Sequence, residues 1–364
     1  MRNYNLDFIR GIAVLGLVFM NIYTFGVFEL GYTPLTTPPS SDSLIQTLNL
    51  IFIEGRFRSI FSILFGAALY IQWQRYNLVL PLKSRLYWLL VFGLLHGFLL
   101  WAGDILFLYG VSGLLAIRYL SSTNEQLLKH AYGFILLSGL ATALVMYSVP
   151  ETLIYRDSPE FNALYSQYFQ SYGDHLLSNI TMNALMVFMV PILTMWVTTA
   201  LMLLGIYLYK QQVFASGLSA KQLILVISSA LLFTSLRLTT EQYSSGVFYA
   251  LQELINSVAA LCMAVIYIHI AVKLCSNNAN TGKLIQQVGR LAFSLYISQT
   301  LMQLVLFKVF FKQWALSFNR IDYCLVATLL IVIQLIITAI YSRYFQQGPL
   351  EYIWRKLTYA KITA

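Results

Sequence analysis

Long apolar runs separated by short polar segments dominate the chain. Windows of about 20 residues, the length of helix that crosses a bilayer, predict ten apolar helices. They cover residues 8–28, 57–73, 86–102, 105–120, 128–149, 183–209, 222–238, 248–272, 291–311 and 323–345. A single helix over residues 86–120 would be ~50 Å long, which exceeds the ~30 Å hydrocarbon core. We therefore expect a break between Trp101 and Asp104 and a tight helical hairpin.

The apolar runs also predict the fold class. A backbone in lipid must satisfy its own hydrogen bonds, which favours helices for runs of this length. We predict an all-α fold, a polytopic transmembrane helical bundle of about ten spans over residues 1–348. Residues 349–364 are predicted to form a cytoplasmic interfacial amphipathic tail helix, in which Leu350, Ile353, Trp354 and Leu357 share one face.

Composition and charge support lipid as the main solvent. Apolar residues make up 59% of the chain and charged residues 10%, whereas soluble domains carry about 25% charged residues. So few charges exclude a soluble globular enzyme and a disordered chain. The net charge of +9 comes mainly from Lys and Arg in short connections, which indicates topology signals and headgroup anchors rather than nucleic-acid binding. Their distribution predicts that both termini are cytoplasmic.

Charged and polar residues within the predicted spans are candidates for function, since each charge costs about 2.5–3.5 kcal/mol to insert. Asp7 and Arg10 are i,i+3 neighbours, and Asn21 lies on nearly the same helical face. Together they predict a polar stripe that points into the bundle and binds substrate. A structural ion pair with a helix–helix hydrogen bond is the alternative.

Two further sets are weaker candidates for substrate binding. Arg56 and Arg58 lie at the outer mouth of the second predicted span, where one side chain can turn inward while the other extends to headgroups. Gln299 and Gln303 follow Tyr296 at helical spacing in the ninth span. That spacing fits a cavity lining and a hydrogen-bonded seam equally well.

His96 is the candidate general base. It lies near the outer end of its span, and Asp104 follows just after the predicted turn, within plausible reach. A carboxylate partner holds the tautomer of a buried histidine and stabilises the imidazolium, as a general base requires. An interhelical hydrogen bond is the alternative. The chain has no Walker A, HExxH or GxSxG motif and no paired Cys/His spacing, so no metal is expected.

At these residues the chain resembles the bacterial YeiB family of polytopic membrane proteins, a domain family without assigned function. The matching segments are LDFIRGIAVLGLVFMNI, EGRFRSIFSILFGAAL, LLHGFLLWAGDILFLYG, VGRLAFSLYISQTL and GPLEYIWRKLTY. The first segment is also similar to the transmembrane acyltransferase group, which includes the acyltransferase-3 and heparan-glucosaminide acetyltransferase-like enzymes. This resemblance implies a multi-pass protein of the bacterial cytoplasmic (inner) membrane.

The wider resemblance implies that acyl-CoA from the cytosol acylates an envelope glycan or lipid acceptor at the outer face. Arg10 matches the family's arginine, but Asn21 stands where acyltransferase-3 members have a histidine. His96 would then be the base, Asp104 its partner and Asn21 an oxyanion donor. This interpretation expects a polar hollow that reaches both Arg10 and His96.

Two other functions stay open. The same charges would suit a transporter or lipid-handling membrane protein without chemistry. A structural or assembly partner in the envelope would tolerate substitution of His96 and Arg10. An oligomer is compatible with each of these functions.

Overall fold

A computed structural model of the chain describes residues 3–27, 31–149, 152–169 and 171–360, and all regular structure within these ranges is helical. Phe28, the predicted end of the first span, and residues 361–364 of the predicted tail lie outside the described residues.

The described residues form helices throughout the chain, in the order that the apolar runs predict. The first nine are α1 Tyr4–Gly26, α2 Ser40–Phe52, α3 Arg56–Tyr76, α4 Leu80–Leu99, α5 Leu106–Ala116, α6 Asn124–Ser148, α7 Pro159–Phe169, α8 Tyr172–Met189 and α9 Met195–Lys210. The others are α10 Val213–Ser216, α11 Ala220–Thr240, α12 Gly246–Ala250, α13 Gln252–Cys275, α14 Lys283–Arg290, α15 Ala292–Leu304, α16 Trp314–Ser317, α17 Arg320–Tyr341 and α18 Pro349–Ala360. Two π-helical turns, Val190–Thr194 and Val305–Phe310, precede α9 and follow α15.

Seven helical segments of the described chain are long and apolar enough to cross a membrane. They are Tyr4–Gly26, Asn124–Ser148, Leu176–Lys210, Ala220–Thr240, Gly246–Cys275, Ala292–Phe310 and Arg320–Tyr341. Helices α3, α4 and α5 occupy the three other predicted spans without meeting that standard of length and hydropathy. The all-helical architecture with several membrane-length helices is thus confirmed, whereas the count of ten spans and the cytoplasmic termini stay predictions.

Close helix crossings at glycine bring the functional residues together. A Cβ atom on Gly11 of α1 would lie 2.0 Å from the Ile285 carbonyl oxygen, and one on Gly289 of α14 would lie 1.9 Å from the Asp7 carbonyl oxygen. Such contact distances are possible only where neither helix has a side chain. The crossing therefore places Arg290, the last residue of α14, beside the first turns of α1.

The tail helix α18 packs against the bundle. Its Trp354 is buried, and the indole N–H donates to the Arg85 carbonyl of α4 over 3.0 Å. Glu351 accepts the backbone N–H groups of Phe293 and Ser294 at the start of α15, over 2.8 and 3.1 Å. A carboxylate at a helix N-terminus is favourable for both the charge and the unpaired N–H groups. Ile353, expected on the same face as Trp354, is exposed.

Candidate functional site

A cavity of about 210 Å³ lies among α1, α3, α4, α5, α14, α15 and α18. We call it the arginine-lined cavity. Its polar lining consists of Arg10, Gln72, Arg85, Tyr109, Arg290, Tyr296 and Glu351, and its apolar lining includes Phe61, Leu64, Phe65 and Leu69. One wall is therefore cationic and another is apolar. Such a cavity can bind an amphiphile with an anionic headgroup and an apolar tail.

The charges at one end of this cavity are unbalanced. Arg10 Nη1 lies 3.3 Å from Asp7 Oδ1, and Arg290 Nε lies 3.7 Å from Asp7 Oδ2, so one carboxylate serves two guanidinium groups. The predicted Asp7–Arg10 pair is present. Both arginine side chains are 29% exposed. With Arg85 and Glu351 included, three cations face two carboxylates, and the surplus positive charge favours an anion.

His96 and Asp104 form a buried pair next to this cavity. His96 Nδ1 lies 2.8 Å from Asp104 Oδ1, and each side chain is only 2% exposed. Asp104 Oδ2 also accepts the backbone N–H of Phe107 over 2.7 Å, in the first turn of α5. The structure thus brings together the two residues that the sequence singled out, because the chain reverses between α4 and α5.

The second ring nitrogen of His96 contacts a residue that sequence reasoning missed. His96 Nε2 lies 3.0 Å from Thr300 Oγ1 on α15. The neutral tautomer with its proton on Nδ1 donates to the Asp104 carboxylate, which can only accept. Nε2 is then a bare acceptor, and Thr300 is the donor. The three side chains form a continuous hydrogen-bonded series, Asp104–His96–Thr300. Asp104 orients the imidazole through Nδ1, and Nε2 accepts the Thr300 hydroxyl.

Tyr296 contacts both the arginine-lined cavity and the Asp104–His96–Thr300 series. It lines the cavity, its ring centroid lies 5.3 Å from that of His96, and its hydroxyl accepts the Ile105 N–H over 3.4 Å. His96 itself is not part of the cavity lining. The expectation of one hollow that reaches both Arg10 and His96 is therefore wrong for the described structure, because the cavity that Arg10 lines ends at Tyr296.

The remaining predicted residues lie apart from this centre. Asn21 is 9% exposed on α1, and among the described residues it forms no hydrogen bond with His96. Gln299 donates to the Val14 carbonyl and to Gln334 Oε1, both over 2.9 Å, and Gln303 donates to the Gln299 carbonyl over 3.2 Å. The two glutamines form a hydrogen-bonded seam between α1, α15 and α17.

Arg56 and Arg58 face different surroundings. Arg56 is fully buried and donates to the Ile51 and Glu54 carbonyls and, over 2.7 Å, to Asn256 Oδ1. Arg58 is exposed. Neither residue lines the arginine-lined cavity. Arg56 contributes to helix packing, and Arg58 lies at the surface.

No group of three or more His, Cys, Asp or Glu side chains in the described parts of the chain is arranged to hold a metal ion. The sequence pattern does not single out Thr300, Tyr109, Glu351 or Trp354 as site residues, and it indicates only topology signals for Arg85 and Arg290. One signal pointed to Thr300, which lies four residues after Tyr296 and thus on the same face of α15.

Fold and site define a polytopic helical membrane protein with a basic cavity and a buried His–Asp pair. Residues 208–361 match the family described as "Protein of unknown function (DUF418)". The chain is 26% identical over 383 aligned positions to "Uncharacterized protein YeiB" of Escherichia coli K12, covering 98% of this chain and 96% of that protein. It is 28% identical to an "Uncharacterized 39.9 kDa protein in amylase 3'region" of Bacillus acidopullulyticus, with 97% and 93% covered. The corresponding identity to "Uncharacterized protein YxaH" of Bacillus subtilis 168 is 24%, with 97% and 93% covered.

The predicted resemblance is confirmed: along nearly its whole length the chain is similar to the uncharacterised proteins YeiB and YxaH, and residues 208–361 match the DUF418 family. The names of these relatives assign no activity.

Proposed function

We propose that the protein is an inner-membrane acyltransferase. It binds acyl-CoA in the arginine-lined cavity and transfers the acyl group to a hydroxyl or amine of an envelope glycan or lipid at the outer face. The observation that carries the proposal is the buried Asp104–His96 pair, one side chain behind the wall of a cationic cavity. Burying such a pair in a lipid-facing protein is costly, and such residues usually serve function.

The cavity suits the donor because acyl-CoA combines phosphates with an apolar chain. Arginine binds phosphate oxygens through two parallel N–H groups. Arg10 and Arg290 are the partly exposed arginines, so they mark the mouth, while Phe61 and Phe65 line the apolar part. A volume of about 210 Å³ is below the roughly 300–1,000 Å³ of most ligand pockets. Only the acyl chain of acyl-CoA and the part next to its thioester would enter the cavity, and the nucleotide would stay at the mouth.

The chemistry assigned to His96 is general base catalysis. Nε2 takes the proton of the attacking hydroxyl, and Asp104 stabilises the imidazolium that forms. The acyl–sulfur bond breaks, and the proton passes to the departing thiolate, which leaves as CoA. Tyr296 must rotate away to admit the thioester, because it lines the cavity and its ring packs against that of His96.

A second function is favoured by that same tyrosine. If Tyr296 remains in place, the cavity binds an anionic amphiphile and never exposes it to His96. The protein would then be a transporter or lipid-handling protein without chemistry.

Two measurements on the full-length protein in phosphatidylglycerol nanodiscs distinguish these functions. The first is binding of acetyl-CoA and palmitoyl-CoA by calorimetry, and the second is release of CoA, with phosphatidylglycerol and octyl glucoside as lipid and glycan-like acceptor probes. We expect Arg10→Gln to weaken binding about ten- to a hundredfold, since a charge-assisted hydrogen bond contributes about 1.5–3 kcal/mol.

His96→Gln should keep the binding and reduce CoA release by about 10²–10⁴-fold, whereas His130→Gln, a change in a histidine outside the site, should alter neither. Binding without release in the wild-type protein would favour the second function. Absence of binding to either acyl-CoA would contradict the acyltransferase.

A further inference from the structure

We infer that Thr300 is the nucleophile of the reaction and carries the acyl group as a covalent ester between two half-reactions. The inference rests on the proposed acyl transfer and deepens it. Its basis is the contact of 3.0 Å between Thr300 Oγ1 and His96 Nε2, together with the 2.8 Å contact between His96 Nδ1 and Asp104. A hydroxyl, a base and an orienting carboxylate in this order are the parts of an activated nucleophile.

The hydrogen bond of Thr300 differs from those of five other helical threonines in the described chain. A threonine within a helix ordinarily donates to the carbonyl of the residue three or four positions earlier. The hydroxyls of Thr47, Thr181, Thr199, Thr328 and Thr358 each donate to the carbonyl four positions before them. Thr300 is 1% exposed, and its hydroxyl is directed to an imidazole 204 residues away in sequence. Thr300 thus hydrogen-bonds to His96 Nε2 instead of a carbonyl of its own helix.

The position of Thr300 between the donor cavity and the acceptor side also favours a covalent acyl-threonine intermediate. Tyr296 lines the donor cavity, and Thr300 lies one turn further along α15, about 6 Å by helix rise. The acyl group would have to pass Tyr296 to reach an acceptor that arrives from the opposite leaflet. An ester on Thr300 holds the acyl group at this boundary, so donor and acceptor need not occupy one cavity together.

Both half-reactions balance. In the first, Thr300 Oγ1 attacks the thioester carbon while His96 Nε2 takes the hydroxyl proton. The carbon–sulfur bond breaks, and the imidazolium gives that proton to the thiolate, which leaves as CoA. In the second, the acceptor hydroxyl gives its proton to His96 and its oxygen attacks the ester carbon. The bond to Oγ1 breaks, and the imidazolium returns the proton to the Thr300 alkoxide. No oxidant or reductant takes part.

The test is acylation of the full-length protein by radiolabelled acetyl-CoA without acceptor, in nanodiscs of phosphatidylcholine, a lipid with no free hydroxyl. Acid quench and peptide mass spectrometry follow. We expect a burst of CoA close to one per chain and one acyl group on the peptide that contains Thr300. Thr300→Val and His96→Gln should lose the label, and Thr300→Ser should keep it. Thr338→Val changes another fully buried threonine and should be labelled like the wild type.

The three cysteines are the main source of misleading label, because thiols exchange with thioesters. Neutral hydroxylamine removes an acyl group from cysteine and leaves an ester on threonine, so the expected label survives it. Label found elsewhere, or full acyl transfer by a folded Thr300→Val variant, would overturn the acyl-threonine and leave the proposed function standing. A wild-type protein that binds acyl-CoA and releases no CoA with any acceptor would instead refute the proposed function itself.

Discussion

The guanidinium carbon of Arg85 lies 3.7 Å from the centre of the Trp354 ring, and the Trp354 indole also donates to the Arg85 carbonyl. Both residues line the arginine-lined cavity. A guanidinium stacked on an indole keeps its positive charge while its direction is restricted. The tail helix therefore completes the cavity wall and orients one of its three arginines.

Trp354→Ala should reduce both stability and donor binding. Removing a buried tryptophan costs about 3–5 kcal/mol, and Arg85 loses the ring that positions it. We expect a clear decrease in the temperature of thermal unfolding in detergent and weaker binding of acetyl-CoA by calorimetry. Tyr352→Ala removes an exposed aromatic residue from the same helix and serves as the control. Unchanged unfolding and binding in Trp354→Ala would show that α18 does not contribute to the cavity.

Asp7→Asn should strengthen donor binding. The Asp7 carboxylate is shared by Arg10 and Arg290 at the cavity mouth and neutralises part of their charge. An amide of the same shape leaves both guanidinium groups free to attract an anion, and an interaction of about 0.5–1 kcal/mol corresponds to roughly two- to fivefold. The measurement is the dissociation constant of acetyl-CoA at low and high salt, where the gain should shrink as salt increases.

Asp322→Asn, an acidic residue at the first turn of α17, is the matched control for Asp7→Asn. A weaker affinity in Asp7→Asn than in the wild type would mean that the carboxylate holds the arginines in place rather than competing with the ligand.

Helix positions and the His96–Asp104 contact could be predicted because both depend on neighbouring sequence. Apolar runs of bilayer length must be helical in lipid, and a break after α4 returns Asp104 to His96. Thr300 could not be found in the same way. Which helix packs against His96 is decided by complementary surfaces of helices that are distant in sequence, and a single sequence records no such pairing.

The position of Arg290 beside Asp7 could not be predicted from the sequence either. Its segment is short and polar, so the sequence indicated a cytoplasmic connection rather than helix α14. The crossing that places Arg290 near Asp7 depends on the absence of side chains at Gly11 and Gly289. Glycines of that kind are recognisable as sites of close approach only when the partner helix is known.

Gly205→Ala should destabilise the bundle. A Cβ atom on Gly205 of α9 would lie 1.9 Å from the Ile63 carbonyl oxygen of α3, and one on Gly66 of α3 would lie 2.0 Å from the Met202 carbonyl oxygen. Backbone atoms cannot yield as a side chain can, so the helices must separate, at a cost of about 1–3 kcal/mol. Gly133→Ala is the matched control, because no heavy atom lies within 4 Å of its added Cβ. Equal unfolding temperatures for the two variants would contradict this close crossing.

Asp157 should make the loop that contains Thr36 sensitive to acid. Asp157 Oδ1 accepts the Thr36 N–H over 3.1 Å, and Oδ2 accepts the Thr36 hydroxyl over 2.5 Å. The hydrogen bond from the Thr36 hydroxyl is the main reason that the pKa of Asp157 lies below its ordinary 3.8. A depressed pKa means that the carboxylate stabilises the folded loop fully above pH 3.8 and progressively less as the pH decreases through the folded-state value.

Hydrogen exchange of the Thr36 amide, corrected for the intrinsic rate at each pH, measures this contact directly. Protection should stay constant from neutral pH to about pH 4 and then decrease below the ordinary pKa of an aspartate. In Asp157→Asn, protection should be lower at neutral pH and should no longer change across this acid range, because the group that titrates has been removed. Asp174→Asn, a change in the first turn of α8, should behave like the wild type. A wild-type profile in Asp157→Asn would mean that the Thr36 amide is protected by other contacts and that Asp157 does not hold this loop.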